Sequence, residues 1–280
     1  MHLTQKIRTF TLILGLVIFK ALEASAGMSA EEVKAFDNHK EMTAKGDIAS
    51  EYQLGRCYVN GDGVLRDEEK GFNYIKSAAE KGLSEAQFYV GCIYLGEGKN
   101  QSYQKSIDWL TKSAKQGNPD AQYMLGYVYK FGLGTDPNNV LAAQWYRKSA
   151  EQNNPDAAYS LGLAYLRGSG VSASNREAAF WLKISADNGK EQAQFELAQL
   201  YVSGDGIPKD EIEAYVYFNL ASGIPNARHA LKLLEQRMPA EARLIAQQRT
   251  KQLQKQIEGR VDNLDDLRKA IQKEQLKKGA

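Results

Sequence analysis

The sequence predicts an all-α protein, an α/α superhelical solenoid of helix-hairpin repeats. Three observations predict it. One short motif recurs five times at intervals of 35 or 36 residues. A glycine-rich turn and a second apolar-aromatic segment follow every copy. Within both segments the apolar residues return at helical rather than strand spacing. A period of this length marks stacked units that cannot bury their apolar faces singly.

The motif is a small or apolar residue, then Gly, two residues and Tyr. It reads Leu54-Gly55…Tyr58, Val90-Gly91…Tyr94, Leu125-Gly126…Tyr129, Leu161-Gly162…Tyr165 and Leu197-Ala198…Tyr201, at intervals of 36, 35, 36 and 36. In the third copy Ala121, Tyr123, Leu125, Val128 and Tyr129 fall on a helical pattern, with Asp120 near its start. An acidic start and glycine past the end are the expected order for a helix. The glycine pairs come next: Gly61 and Gly63, Gly96 and Gly98, Gly132 and Gly134, Gly168 and Gly170, Gly204 and Gly206. Such a Gly-x-Gly loop suits a chain reversal with φ > 0. The second segment centres on Tyr74, Trp109, Trp145, Trp181 and Tyr217; Gly82, Gly117 and Gly189 close three copies, with Asn153 the exception. A glycine inside a helix costs about 1 kcal/mol against alanine. Its return in the first helices predicts close helix–helix approach, with the neighbouring aromatic filling the space across it.

Set out as one unit, A-x-x-x-LG-x-x-Y-x-x-G-x-G-(V/I)-x-x-(D/N)-x-x-x-A-x-x-W-(Y/L)-x-K-(S/A)-A-x-x-G resembles the Sel-one-like repeat family, a branch of the tetratricopeptide-like α/α solenoids. The resemblance spans residues 47–223. It implies a superhelix whose first helices line the concave surface. Residues 27–46, with Phe36 and Gly46 in register, read as the second helix of a degenerate leading repeat. Residues 224–259 are expected to form capping helices, the second beginning at Pro239-Ala240-Glu241, that cover the last apolar face. Residues 260–280 are a charged tail, in which Val261, Leu264, Leu267 and Ile271 make one amphipathic stripe or the chain frays.

Residues 1–26 read as a secretory signal peptide. Lys6 and Arg8 start it, an apolar run from Leu12 to Phe19 follows, and Ala24-Ser25-Ala26 offers small residues for cleavage before Gly27. The run is too short for a stable membrane anchor, and no later stretch approaches 20 apolar residues. The charge count follows from this reading. The 280 residues carry 36 Lys+Arg and 34 Asp+Glu. Cleavage removes three positive charges (Lys6, Arg8, Lys20) and one negative (Glu23), leaving 33 of each sign. A neutral chain lacks the basic excess of a nucleic-acid binder.

Nothing in the residues spells catalysis. His2, His39 and His229 share no metal-ligand spacing, and no phosphate loop or nucleophile elbow follows a strand. No catalytic residue, metal or cofactor is expected. Cys57 stands in an apolar column with Ile93, Val128, Ala164 and Leu200, and reads as a small buried hydrophobe. Cys92 stands in a mixed column; a Cys57–Cys92 bridge is the alternative in an oxidising compartment. A cysteine-rich subgroup of the resembling family, credited with β-lactam binding and hydrolysis, pairs cysteines in each repeat. With two cysteines this chain lacks that framework, so the activity does not carry over.

The recurring tyrosines and tryptophans read as framework. A ligand surface should instead differ from repeat to repeat. Two columns of the first helices do: Gln53, Tyr89, Met124, Ser160 and Glu196, two before the motif glycine, and Arg56, Cys92, Tyr127, Leu163 and Gln199, one after it. Three residues apart, they share one helix face. That face, with Tyr89, Met124 and Tyr127 at its centre, is the expected groove for a protein or peptide partner; the alternative is a set of tolerant, solvated positions. The expected function is an exported, non-enzymatic scaffold of the bacterial envelope, periplasmic or secreted. The competing readings are an enzyme acting on a cell-wall component or β-lactam, and a structural part of a secretion or motility complex.

Overall fold

The computed structural model describes residues 28–96 and 101–278, with side chains as far as Arg260. The expected signal segment and Gly98 lie outside the described residues, as do the side chains of the expected 260–280 stripe. Among the described residues every regular element is an α-helix: α1 (Ala30–Ala44), α2 (Ile48–Asn60), α3 (Glu68–Glu80), α4 (Ser84–Leu95), α5 (Tyr103–Lys115), α6 (Pro119–Phe131), α7 (Asn139–Ala150), α8 (Pro155–Arg167), α9 (Asn175–Asp187), α10 (Glu191–Ser203), α11 (Glu211–Leu220), α12 (Pro225–Arg237) and α13 (Ala240–Lys278). The chain divides into a compact unit up to Val90 and a second, Gly91–Ile271. In the first, α1 packs on α2 and α2 on α3; in the second, each helix from α5 to α11 packs on the next. None of the described helices is long and apolar enough to cross a membrane.

The helix ends follow from local chemistry. Asn118 and Asn154 cap α6 and α8, each accepting from the amide three residues on, with Pro119 and Pro155 at the first helical position. Gly61, Gly132, Gly168 and Gly204 end α2, α6, α8 and α10 in the left-handed conformation. Asn153, where other repeats have glycine, holds φ at 63°, and Asn is one of the few L-residues that enters this region readily.

The motif glycine marks contact within a hairpin. A Cβ at Gly126 would lie 2.5 Å from ring carbons of Tyr146, and one at Gly162 would lie 2.8 Å from Leu182 Cγ. The close approach is as expected, but its occupant is not the Trp column. It is the residue after it: Ile75, Leu110, Tyr146 and Leu182 face the glycines. One residue turns a helix by about 100°, which leaves Trp109 and Trp145 half-buried, with Lys112 and Lys148 ammonium groups 4.2 and 4.5 Å from their ring centroids. Trp181 and Tyr217 are buried.

Three devices join helices beyond apolar packing. Within hairpins, Ser149 and Ser185 donate from the second helix to the Pro119 and Pro155 carbonyls, both at 2.7 Å. Between hairpins, Gln122 and Gln194 donate to the Ala114 and Ala186 carbonyls that end the preceding second helix. The second loop glycine does more than turn the chain. Gly63, Gly134, Gly170 and Gly206 each press on the start of the preceding second helix, at Glu32, Tyr103, Asn139 and Asn175. The first part of α13 closes the second unit: Ala246 and Thr250 are buried, Arg249 pairs with Glu213, and Arg260 donates to the Asp187 carbonyl at 3.0 Å.

Candidate functional site

The two variable columns lie on the first helices and are half-buried or exposed throughout. In the first unit Gln53 and Arg56 sit on α2 and Tyr89 on α4. The Arg56 guanidinium is 5.9 Å from the Tyr52 ring centroid, and Tyr52 meets Tyr89 edge-on at 6.5 Å. In the second unit Met124 and Tyr127 sit on α6, Ser160 and Leu163 on α8, and Glu196 and Gln199 on α10. Tyr127 is 38% exposed and stacks obliquely at 4.6 Å on Phe131, itself 52% exposed.

The space between neighbouring first helices forms clefts. Between α6 and α8 the floor is Ala142, Ala143 and Tyr146 of α7, and Ser160 and Leu163 line a wall. Ala164, Lys130, Arg167, Asn139 and Ser169 complete the lining. The same slot recurs two repeats on, between α10 and α12. There Phe218 replaces Tyr146 on the floor, and Gln199, Val202, Leu233 and Leu234 line an apolar cleft beside Arg237. Ser160, Leu163 and Gln199 are thus brought into clefts; Met124 and Glu196 flank them without lining either.

Burial sets the electrostatics of this face. It holds the Lys130 ammonium below the ordinary lysine range, and the neighbouring Arg167 guanidinium pushes the same way. Burial raises the Glu196 carboxyl, opposed by Arg167. It also raises the Tyr159 phenol, with the Glu196 charge adding to the effect. The Tyr123 phenol is raised by burial and then by Asp156, and the Ser160 hydroxyl offsets part of this by hydrogen bonding.

Sequence comparison missed three features. Lys130 stands in a column otherwise filled by Val59, Leu95, Leu166 and Val202, so one cation interrupts an apolar series. Arg167 ends α8 in a column of unlike residues, Asn60, Gly96, Phe131 and Ser203. Tyr52, Phe88, Tyr123, Tyr159 and Phe195 form an aromatic column three before the motif glycine, and all five are half-buried.

Cys57 is a buried free thiol, and Cys92 is free and half-buried. Burial pushes the Cys57 thiol up, and the Cys92 thiol up to about 12. Thiols held protonated at neutral pH are poor nucleophiles. Among the described residues no group of three or more His, Cys, Asp or Glu is placed to hold a metal ion.

The profile of the Sel1 repeat matches residues 48–83, 84–118, 119–154, 155–190 and 191–222. Among solved structures, a Sel1 repeat protein from Oxalobacter formigenes is 30% identical; the match covers 72% of this chain and 84% of that one, with a TM-score of 0.62. A protective antigen of uropathogenic Escherichia coli with an SLR fold is 25% identical, covering 85% of this chain at a TM-score of 0.53. The chain spans 60% of that antigen's length. A sequence comparison with curated proteins finds no match.

Proposed function

Since the chain belongs to the Sel1 repeat family, we propose that it is an exported, non-enzymatic scaffold that holds a protein or peptide partner against its first helices. The observation that carries this reading is the contrast between a uniform frame and a varied face. Hairpin contacts repeat from unit to unit, whereas the residues between first helices change and line open clefts. Exposed Tyr127 and Phe131 add amphipathic and apolar surface of the kind that anchors partners. Export rests on residues 1–26, with work in the bacterial envelope, periplasmic or secreted, as its consequence.

Capture from native envelope, comparing the unaltered chain with Tyr127→Ala and Arg56→Glu, tests the face. Both variants should keep their helical signal and lose captured partner. Capture unaffected by either substitution refutes the assignment. Sequencing the N-terminus of the envelope-fraction protein tests export, with Gly27 as the expected first residue. Hydrolysis of a β-lactam reporter, abolished by a single substitution, would favour an enzyme instead.

A further inference from the structure

We infer that the cleft between α6 and α8 receives a carboxylate side chain of the partner, an Asp or Glu of a bound peptide, between Lys130 and Arg167. This deepens the scaffold reading and rests on it. The cleft lining holds two cations, the Ser160 and Ser169 hydroxyls and the Asn139 amide, and no carboxylate. All five groups can donate to an anion. Lys130 is the informative residue. Its ammonium is half-buried at a position where four other repeats place Val or Leu, and the charge acting on it is the like charge of Arg167. A half-buried ammonium beside the exposed Arg167 guanidinium is unfavourable, and an anion reaching both groups relieves it.

The choice of anion follows from the surroundings. Glu196 acts electrostatically on the same Arg167. Lys130, Arg167 and Glu196 together leave a single positive charge, which one carboxylate neutralises and a phosphate dianion would overshoot beside Glu196. The exposed apolar faces of Tyr127 and Phe131 border the site, with Lys130 Nζ 5.1 Å from the Phe131 ring centroid. The residue next to the acid in the peptide therefore meets an aromatic wall.

The test selects from a randomised nonapeptide library on the full-length protein and then measures selected peptides by fluorescence anisotropy. Asp or Glu should be enriched at one position next to an apolar residue. Lys130→Leu restores the residue type of the other repeats, so the fold should hold; it should weaken a selected peptide about 10-fold or more. Replacing the peptide's acid by its amide should cost the same, and the two changes together should cost little more than either alone. Arg167→Gln should reproduce the loss. Selected peptides without an acid, or unaffected by Lys130→Leu and Arg167→Gln yet lost on Tyr127→Ala, would overturn this inference and leave the scaffold reading intact. Tighter binding of a phosphoserine peptide than of its Asp counterpart would overturn the carboxylate assignment. Failure to select any peptide, together with capture from envelope unaffected by Tyr127→Ala, would overturn both readings.

Discussion

Gly170→Ala should be far more damaging than Gly168→Ala, although the two glycines share one loop and both hold positive φ, 75° and 64°. An L-residue in this region costs about 1–2 kcal/mol, and both substitutions bear that cost. The surroundings differ. A Cβ on Gly168 would meet nothing closer than 3.4 Å, an ordinary contact. A Cβ on Gly170 would lie 2.7 Å from the Val140 amide nitrogen and closer still to the Asn139 carbonyl. These are backbone atoms at the start of α7, so no side-chain rotation relieves the clash. Overpacking typically adds about 1–3 kcal/mol, which brings Gly170→Ala to roughly 2–5 kcal/mol. Urea unfolding followed by circular dichroism measures the difference. With slopes of about 1–3 kcal/mol per molar, the two midpoints should separate by on the order of 1 M. Equal midpoints would show that the loop serves only to reverse the chain, and that the contact between repeats carries no weight.

Three further outcomes are expected. Ser149→Ala and Ser185→Ala each remove a short hydrogen bond between the helices of a hairpin and should lower stability by about 1 kcal/mol in the same assay. Asn153→Gly should raise the melting temperature, and Asn153→Ala should lower it, because φ is 63° there. His39 is held below the ordinary imidazole value by burial, against a weaker opposing effect of Asp47. The unfolded chain therefore binds the proton more tightly. Stability should be intact above about pH 6.5 and decline as pH falls below it, and His39→Gln should flatten that decline.

The hairpins were legible because five copies report on one design. A helix stop read once is a guess; Gly61, Gly132, Gly168 and Gly204 read together are a rule, and all four are left-handed caps. Phase was less legible. The aromatic column looked like the core centre because Trp is the largest apolar side chain, yet the motif glycine faces the next residue. A step of one position turns the helix by about 100°, and composition is too blunt to resolve that. Of the varied columns, Ser160, Leu163 and Gln199 line clefts between first helices. Lys130 escaped because it interrupts a uniform column instead of belonging to a varied one. The loop glycines mark where a side chain is unwelcome, but that the obstacle at Gly170 is the Asn139 backbone of a different repeat depends on how the hairpins stack.

Pro225 opens α12 as Pro119 and Pro155 open α6 and α8, and α12 forms a cleft with α10 over Phe218. The cap is thus a sixth first helix as well as a lid on the last apolar face. Clefts of this kind are counted by gaps, not by helices, since each needs two walls and a floor. A chain ended at Gly223 would lose this last cleft along with its shielding. Conversely, a 36-residue insertion placed between hairpins would add one such cleft, while every existing cleft kept its walls.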